Sequence, residues 1–306
     1  YYEARAAHLV DFQPDGAVVT VQVTRGPKVT VMFEGDPLPA KELDRLVPIK
    51  AEGSADEDLL EDAQNAIIDY LHAGGYRDAR VAFAEDERGE ALTITYHVER
   101  GVRYTASQVA FEGNTAVPAA DLQAVTRVKA GEPFVQSAVD ATIGAITNLY
   151  RVRGFTRAGV KAVPEVLPAD APESRSRQVR VRFTIAEGPK TTVRSVTFAG
   201  NAAIPEATLR MDLTTTVGAP FSGASQDADR DRIELEYRNL GYDTALVQPS
   251  VTMAENDTQA DIRFMITEGP QAIVDHVIIV GNERTSTATI ERELLLKPGE
   301  PLSYSA

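Results

Sequence analysis

The sequence has 306 residues, of which 43% are hydrophobic but only 7% aromatic and none Trp, so it suits several small cores better than one large one. Its 31 Lys and Arg against 45 Asp and Glu leave a formal charge of −14, a field that repels a phosphate backbone and argues against nucleic acid as a partner. With no Cys there is neither a disulfide framework nor a thiolate metal site, and no stretch reaches the roughly 18 consecutive apolar residues of a spanning helix.

In chain order, residues 1–27 read as a hairpin closing in Arg25-Gly26-Pro27. A strand then ends in Phe33-Glu34-Gly35, a short helix carries Leu43 behind Pro39, and Gly53 follows. A second helix closes in Gly75-Tyr76, and a further hairpin ends in Arg100-Gly101-Val102. The series then returns as Phe111-Glu112-Gly113-Asn114, Gly131, Pro133-Phe134, Gly154-Phe155 and Glu187-Gly188-Pro189. It returns again as Phe198-Ala199-Gly200-Asn201, Gly218, Pro220-Phe221, Gly241-Tyr242 and Glu268-Gly269-Pro270. A last, partial copy shows Ile279-Val280-Gly281-Asn282, Gly299 and Pro301-Leu302. The leading glycines lie 78, 87 and 81 residues apart, and each is followed by another glycine 18 residues later. Such self-similarity marks a repeat.

Within a copy, Thr192 to Phe198 alternates as a strand does, and Pro118 or Pro205 opens a short helix where its missing N–H costs nothing. The second helix carries Ile143, Ile146, Leu149 and Tyr150 in one copy and Ile233, Tyr237 and Leu240 in another. It stops at a glycine with the pattern of a left-handed helix end, followed by an aromatic residue that packs back on the last turn. Two strands complete the unit. The expected fold is α+β, in tandem βααββ repeats, each a three-stranded mixed sheet covered by two helices. The boundaries are 1–27 for a C-terminal hairpin of a truncated copy, 28–102, 103–189 and 190–270 for complete copies, and 271–306 for the strand-plus-helix start of another. The chain is thus expected to be an excerpt of a longer protein. Pro164 and Pro249 fall in the fourth element and none in the fifth, which predicts that the fourth is an edge strand and the fifth central.

No catalytic constellation emerges. His8, His72, His97 and His276 fall at unrelated positions in different copies. The acidic run Asp56-Glu57-Asp58 with Glu61 and Asp62 fits the first turns of a helix, and Asp227 to Asp231 lies inside a helical pattern, with Arg232 where a calcium loop needs Gly. Catalytic, cofactor-binding and metal-ligating residues are therefore all expected to be none. Pro164 to Ser176 reads as a lengthened, solvated hairpin tip.

The motifs at Val196 to Asn201, Gly218 to Phe221, Tyr237 to Tyr242 and Glu268 to Pro270 resemble those of the POTRA domain, found in the periplasmic arrays of BamA-type outer-membrane insertases. The resemblance covers nearly the whole chain and is weakest in the first complete copy, which has Asp36 in place of Asn and lacks Pro-Phe after Gly53. It implies a periplasmic location at the Gram-negative outer membrane, and a membrane-embedded β-barrel that this chain lacks. The partners it implies are unfolded outer-membrane β-barrel proteins and accessory lipoproteins. The function expected is a polypeptide-binding array that receives barrel precursors by strand addition. The alternative is a TamA-like or secretion-pore scaffold that spaces and docks partners without binding clients. The fourth element of the first complete copy, free of proline, is the candidate client edge: Asp78, Ala79, Arg80, Val81, Ala82, Phe83, Ala84 and Glu85.

Overall fold

The computed structural model describes residues 5–13, 16–169, 171, 174–254 and 256–304. The chain separates into two compact units, and the division runs through the middle repeat. One unit holds the residues up to Ala110 with Thr126–Thr142 and Ala162–Phe183, and the other holds Phe111–Val125, Ile143–Lys161 and the residues from Thr184 on.

The first unit opens with an antiparallel hairpin of β1 (Arg5–Gln13) and β2 (Gly16–Thr24), on which Leu9, Phe12, Val19 and Val21 are exposed. There follow β3 (Lys28–Gly35), α1 (Ala40–Leu46), α2 (Ile49–Glu52), α3 (Glu57–Ala73), β4 (Arg80–Arg88) and β5 (Ala91–Glu99). In this sheet β5 is central, parallel to β3 and antiparallel to β4. Helix α3 starts where Asp56 accepts a hydrogen bond from the Leu59 amide at 2.9 Å, and Glu57 and Asp58 fill its first turn, where the helix dipole favours acids. Its Leu60, Ile67 and Leu71, with Leu46 and Ile49, bury against Val81, Ile94, Tyr96 and Val98 of the sheet.

The middle repeat comprises β6 (Arg103–Glu112), α4 (Ala119–Val125), α5 (Gln136–Val152), β7 (Gly159–Val166) and β8 (Ser176–Ala186), with strand order β6-β8-β7. The buried residues of β8, namely Val179, Val181, Phe183 and Ile185, alternate as a strand with one face in a core requires. The second unit contains β9 (Thr192–Ala199), α6 (Glu206–Arg210), α7 (Gly223–Asn239), β10 (Leu246–Met253) and β11 (Gln259–Thr267), ordered β10-β11-β9. Here the β10–β11 register runs on across Pro249, opposite Phe264, and a bulge at Ala260/Asp261 interrupts the parallel β11–β9 pairing. Helix α8 (Thr287–Glu293) is the last element.

Every three-stranded sheet thus has its fifth element central and its fourth at an edge, as proline placement predicts. Three local expectations are corrected. The fourth element of the first copy is Arg80–Arg88, so Asp78 and Ala79 precede the strand; both lie in the turn after the Gly75-Tyr76 helix end, and the Ala79 amide bonds the Tyr76 carbonyl at 3.0 Å. The first copy also gains α2, closed by Gly53, which absorbs the one-residue offset of Pro39 and Leu43. Finally, the strand expected in the last partial copy is reduced to an isolated bridge between Ile273 and Pro301. In the other copies this strand pairs with a fifth element, and no such partner lies beside 273–280 among the described residues. Within the expected hairpin tip, β7 runs through Pro164 to Val166, and residues 170, 172 and 173 lie outside the described residues.

Candidate functional site

Among the described residues the candidate edge strand β4 pairs with β5 alone, leaving its other side open. Val81 is buried and Phe83 packs on the core, while Arg80, Ala82 and Ala84 are exposed, so the two faces divide as the alternation predicts. Beyond Ala84 the edge is charged throughout, with Glu85, Asp86, Glu87 and Arg88 all exposed and Arg88 paired to Asp86 at 2.9 Å. Asp78 does something else: its carboxylate accepts a hydrogen bond from the Tyr104 hydroxyl at 2.8 Å. That bond, with burial, raises the Tyr104 pKa. Asp78 therefore belongs to the junction with the next repeat.

The junctions account for the motifs that recur most faithfully. Each second helix ends in a Schellman turn, in which the amides of Tyr76, Phe155 and Tyr242 reach back to the carbonyls of Leu71, Tyr150 and Tyr237 at 3.0 Å. The glycine of that turn presents its carbonyl to the next repeat: Tyr104 donates to Gly75, Thr191 to Gly154 and Ala272 to Gly241, each at 2.8 Å. The same three residues accept from the amides of Phe134, Phe221 and Leu302, each at 2.9 Å. The Gly-x-Pro-Phe segment thus lies antiparallel to the start of the first strand. Glycine is required in the turn because its φ is positive and a Cβ on Gly75 or Gly154 would lie 2.5 or 2.7 Å from the Tyr104 or Thr191 carbonyl oxygen.

A second recurrent cluster explains the helix tyrosine and the Glu-Gly-Pro motif. Tyr150 and Tyr237 are fully buried, and their hydroxyls donate to Glu187 at 2.8 Å and to Glu268 at 2.9 Å. The same carboxylates accept the amides of Ala116 at 2.8 Å and Ala203 at 2.7 Å, tying helix, closing strand and the loop after the first strand together. Burial and the neighbouring carboxylate push both phenols up. Burial alone would raise the Glu187 carboxyl, but hydrogen bonds from Thr115, the Ala116 amide and Tyr150 outweigh it and hold it below its ordinary range. The first repeat has Leu71 and Arg100 at these two positions, and Asp36 in place of the loop asparagine. There Asp36 accepts from the Arg100 amide at 2.9 Å and pairs with Arg175 at 3.4 Å. Reading the copies one at a time misses this exchange; aligning them exposes it, because all three residues change together.

No group of three or more His, Cys, Asp or Glu able to hold a metal occurs among the described residues, and no helix there is long and apolar enough to cross a membrane. His97 is exposed and lies 3.2 Å from Glu34, and His276 pairs with its neighbour Asp275 at 2.7 Å. What the geometry offers is main-chain hydrogen bonding at strand edges and at the junctions between repeats.

The model of the POTRA family, described as a surface antigen variable number repeat, matches residues 29–101, 104–188 and 191–269. The chain belongs to the POTRA family. Its repeats are POTRA domains, similar in sequence to BamA proteins. It is 24% identical over 215 residues to the outer membrane protein assembly factor BamA of Neisseria meningitidis serogroup B, covering 68% of this chain and 26% of that protein. It is 19% identical over 303 residues to BamA of Nitratidesulfovibrio vulgaris, covering 94% of this chain and 37% of that one. The chain therefore spans well under half the length of these relatives. Among solved structures it is similar to POTRA3-5 of Haemophilus influenzae BamA, with 18% identity and a TM-score of 0.43 over 79% of this chain and 96% of the other.

Proposed function

We propose that this chain is the periplasmic polypeptide-binding array of an outer-membrane β-barrel assembly protein. In this reading 28–102, 103–189 and 190–270 act as its complete POTRA units, and 1–27 and 271–306 as parts of further copies. Unfolded barrel precursors add as strands to an open edge, accessory lipoproteins dock on the array, and a barrel elsewhere in the protein anchors it. The observation that carries the reading is β4, an edge strand without proline whose far side is unpaired, whereas β7 and β10 contain Pro164 and Pro249. Strand addition supplies affinity through the main chain and tolerates many side chains, as a receptor for diverse precursors needs. The names of the BamA relatives support the client class.

A photo-crosslinker placed in turn at Arg80, Ala82 and Ala84 should capture unfolded barrel peptides, and proline at the same positions should cut capture severalfold. Unchanged capture in all three proline variants, with circular dichroism showing intact folding, would remove the edge from the mechanism. The charged stretch from Glu85 to Arg88 favours a second reading, since charge on an edge discourages pairing. This is a TamA-like or secretion-pore scaffold that spaces and docks partners, and it predicts no capture at β4.

A further inference from the structure

The first repeat has a second open edge, on the opposite side of its sheet. The amides of Lys28 and Asp36 donate to the carbonyls of Glu90 and Val98, so even-numbered residues of β3 face β5. By alternation, the N–H and C=O groups of Val29, Val31 and Phe33 point away from the sheet. Among the described residues none of them has a hydrogen-bond partner.

In the other copies the start of this edge, the position of Val29, is covered from within the chain. Ala106, Val193 and Val274 each accept an amide, from Gly131, Gly218 and Gly299 respectively. Each also donates to the carbonyl of the residue after that glycine, Glu132, Ala219 or Glu300. The third repeat adds a further cover: Arg210, next to the buried Leu209, donates to the Val196 carbonyl and lies over the Phe198 ring at 5.3 Å. In the first repeat Gly53 turns back to bond Ile49 instead, and the residue after Leu43 is Asp44, an acceptor that cannot serve a carbonyl. What remains beside β3 is an apolar cavity of about 220 Å³, lined chiefly by Val29, Val31, Phe33, Leu43, Val47 and Ile49.

We propose that the outer edge of β3 is a strand-acceptor site for an extended polypeptide segment with apolar side chains on alternate residues. Such a segment starts in trans beside Val29, where Gly-x-Pro-Phe sits in cis on Ala106 and Val193 elsewhere, and runs on beside Val31 and Phe33. Its backbone satisfies Val29, Val31 and Phe33, and its apolar side chains enter the cavity. The occupant is inferred from the chain's own copies, in which an extended segment already bonds the start of the equivalent strand through its main chain, and from the apolar lining of the cavity beside β3. The site is separate from β4 and does not depend on client capture there.

The test uses the whole chain and an acetylated, amidated peptide of sequence Ser-Val-Ser-Phe-Ser-Val-Ser, with a photoreactive group on its Phe. A twin carries N-methyl groups on alternate residues, which block strand addition but leave the side chains. Asp44→Arg imports the Arg210 arrangement and closes the edge; Asp44→Ser removes the charge without covering Val31. The peptide should protect the Val29, Val31 and Phe33 amides from exchange and cross-link to β3 or α1. Both N-methylation and Asp44→Arg should weaken binding about tenfold or more, the scale of one or two main-chain hydrogen bonds lost with their apolar contacts, while Asp44→Ser binds as the parent does. Cross-links confined to β4 would sink this proposal and leave the proposed function standing. Absence of binding, or binding indifferent to N-methylation or to Asp44→Arg, would also overturn it.

Discussion

Replacing Gly154 by Ala isolates the junction between the second and third POTRA domains. Its φ is +94°, and a Cβ there would lie 2.7 Å from the Thr191 carbonyl oxygen and 3.0 Å from the Pro220 Cβ, both main-chain-anchored groups with little room to yield. The left-handed backbone costs an L-residue about 1–2 kcal/mol. Relieving the clash lengthens the Thr191-to-Gly154 and Phe221-to-Thr191 hydrogen bonds, now 2.8 and 2.9 Å, at about 1 kcal/mol each. Part of that loss is recovered from water, so the closed junction weakens by about 2–4 kcal/mol, or roughly 30- to 700-fold in its closed-to-open ratio. The chain has no Cys, so spin labels at Ala124→Cys and Gln248→Cys report the junction without interference. Double electron–electron resonance should show a broader distance distribution in Gly154→Ala, while far-ultraviolet circular dichroism is unchanged. The control is Gly144→Ala, in α5, where a Cβ meets nothing within 4 Å and the helix should gain about 0.5–1 kcal/mol. An unbroadened distribution in Gly154→Ala, indistinguishable from that of Gly144→Ala, would refute the view that this carbonyl–amide pair fixes the junction.

Asp229, at 1% exposure, accepts the amides of Thr214 and Thr215 at 2.8 Å, and Thr142 serves the Arg127 amide in the middle domain at 2.9 Å. Asp229→Ala should therefore cost about 1–3 kcal/mol by urea denaturation, because the buried Thr215 amide and the part-buried Thr214 amide lose their carboxylate acceptor; a loss below about 0.5 kcal/mol would contradict the assignment. On the alkaline side, burial pushes the Tyr96 phenol up to about 12 and also raises Tyr150 and Tyr237 above the ordinary value of 10.0. The folded state holds these protons more tightly, so the stabilisation is complete below about pH 10 and is lost as pH rises towards the folded values. Phenolate absorbance should show these three rings silent until the fold is lost, and a smooth titration of all 10 Tyr with the fold intact would show otherwise.

Much of the fold was legible in the sequence because glycines and prolines have narrow conformational uses. The Gly-Tyr and Gly-Phe pairs announce the Schellman turns, and Pro164 and Pro249 identify the edge strands, since these signals are local. The start of β4 is not legible in the sequence, because Asp78 looks like any polar strand residue until Tyr104, from the next domain, takes its carboxylate. The residues 273–280 are apolar at six of eight positions yet form no strand, because a strand exists only with its ladder partner, and pattern says nothing of partners. The open β3 edge left only an indirect trace, the missing Pro-Phe after Gly53, whose meaning depends on knowing what Pro133-Phe134 and Pro220-Phe221 cover.

Tyr104, Thr191 and Ala272 hold equivalent places at the three junctions and share no side-chain chemistry, because the two recurrent bonds at each place use only the peptide group. A copy duplicated or exchanged within the gene would meet its new neighbour with the same donors and acceptors already in register. The main-chain part of the seam thus survives lengthening, shortening or shuffling of the array, and only added side-chain contacts such as Tyr104 to Asp78 need adjustment. Selection on each domain's surface is left free to diverge, as the first repeat has done with its two uncovered edges.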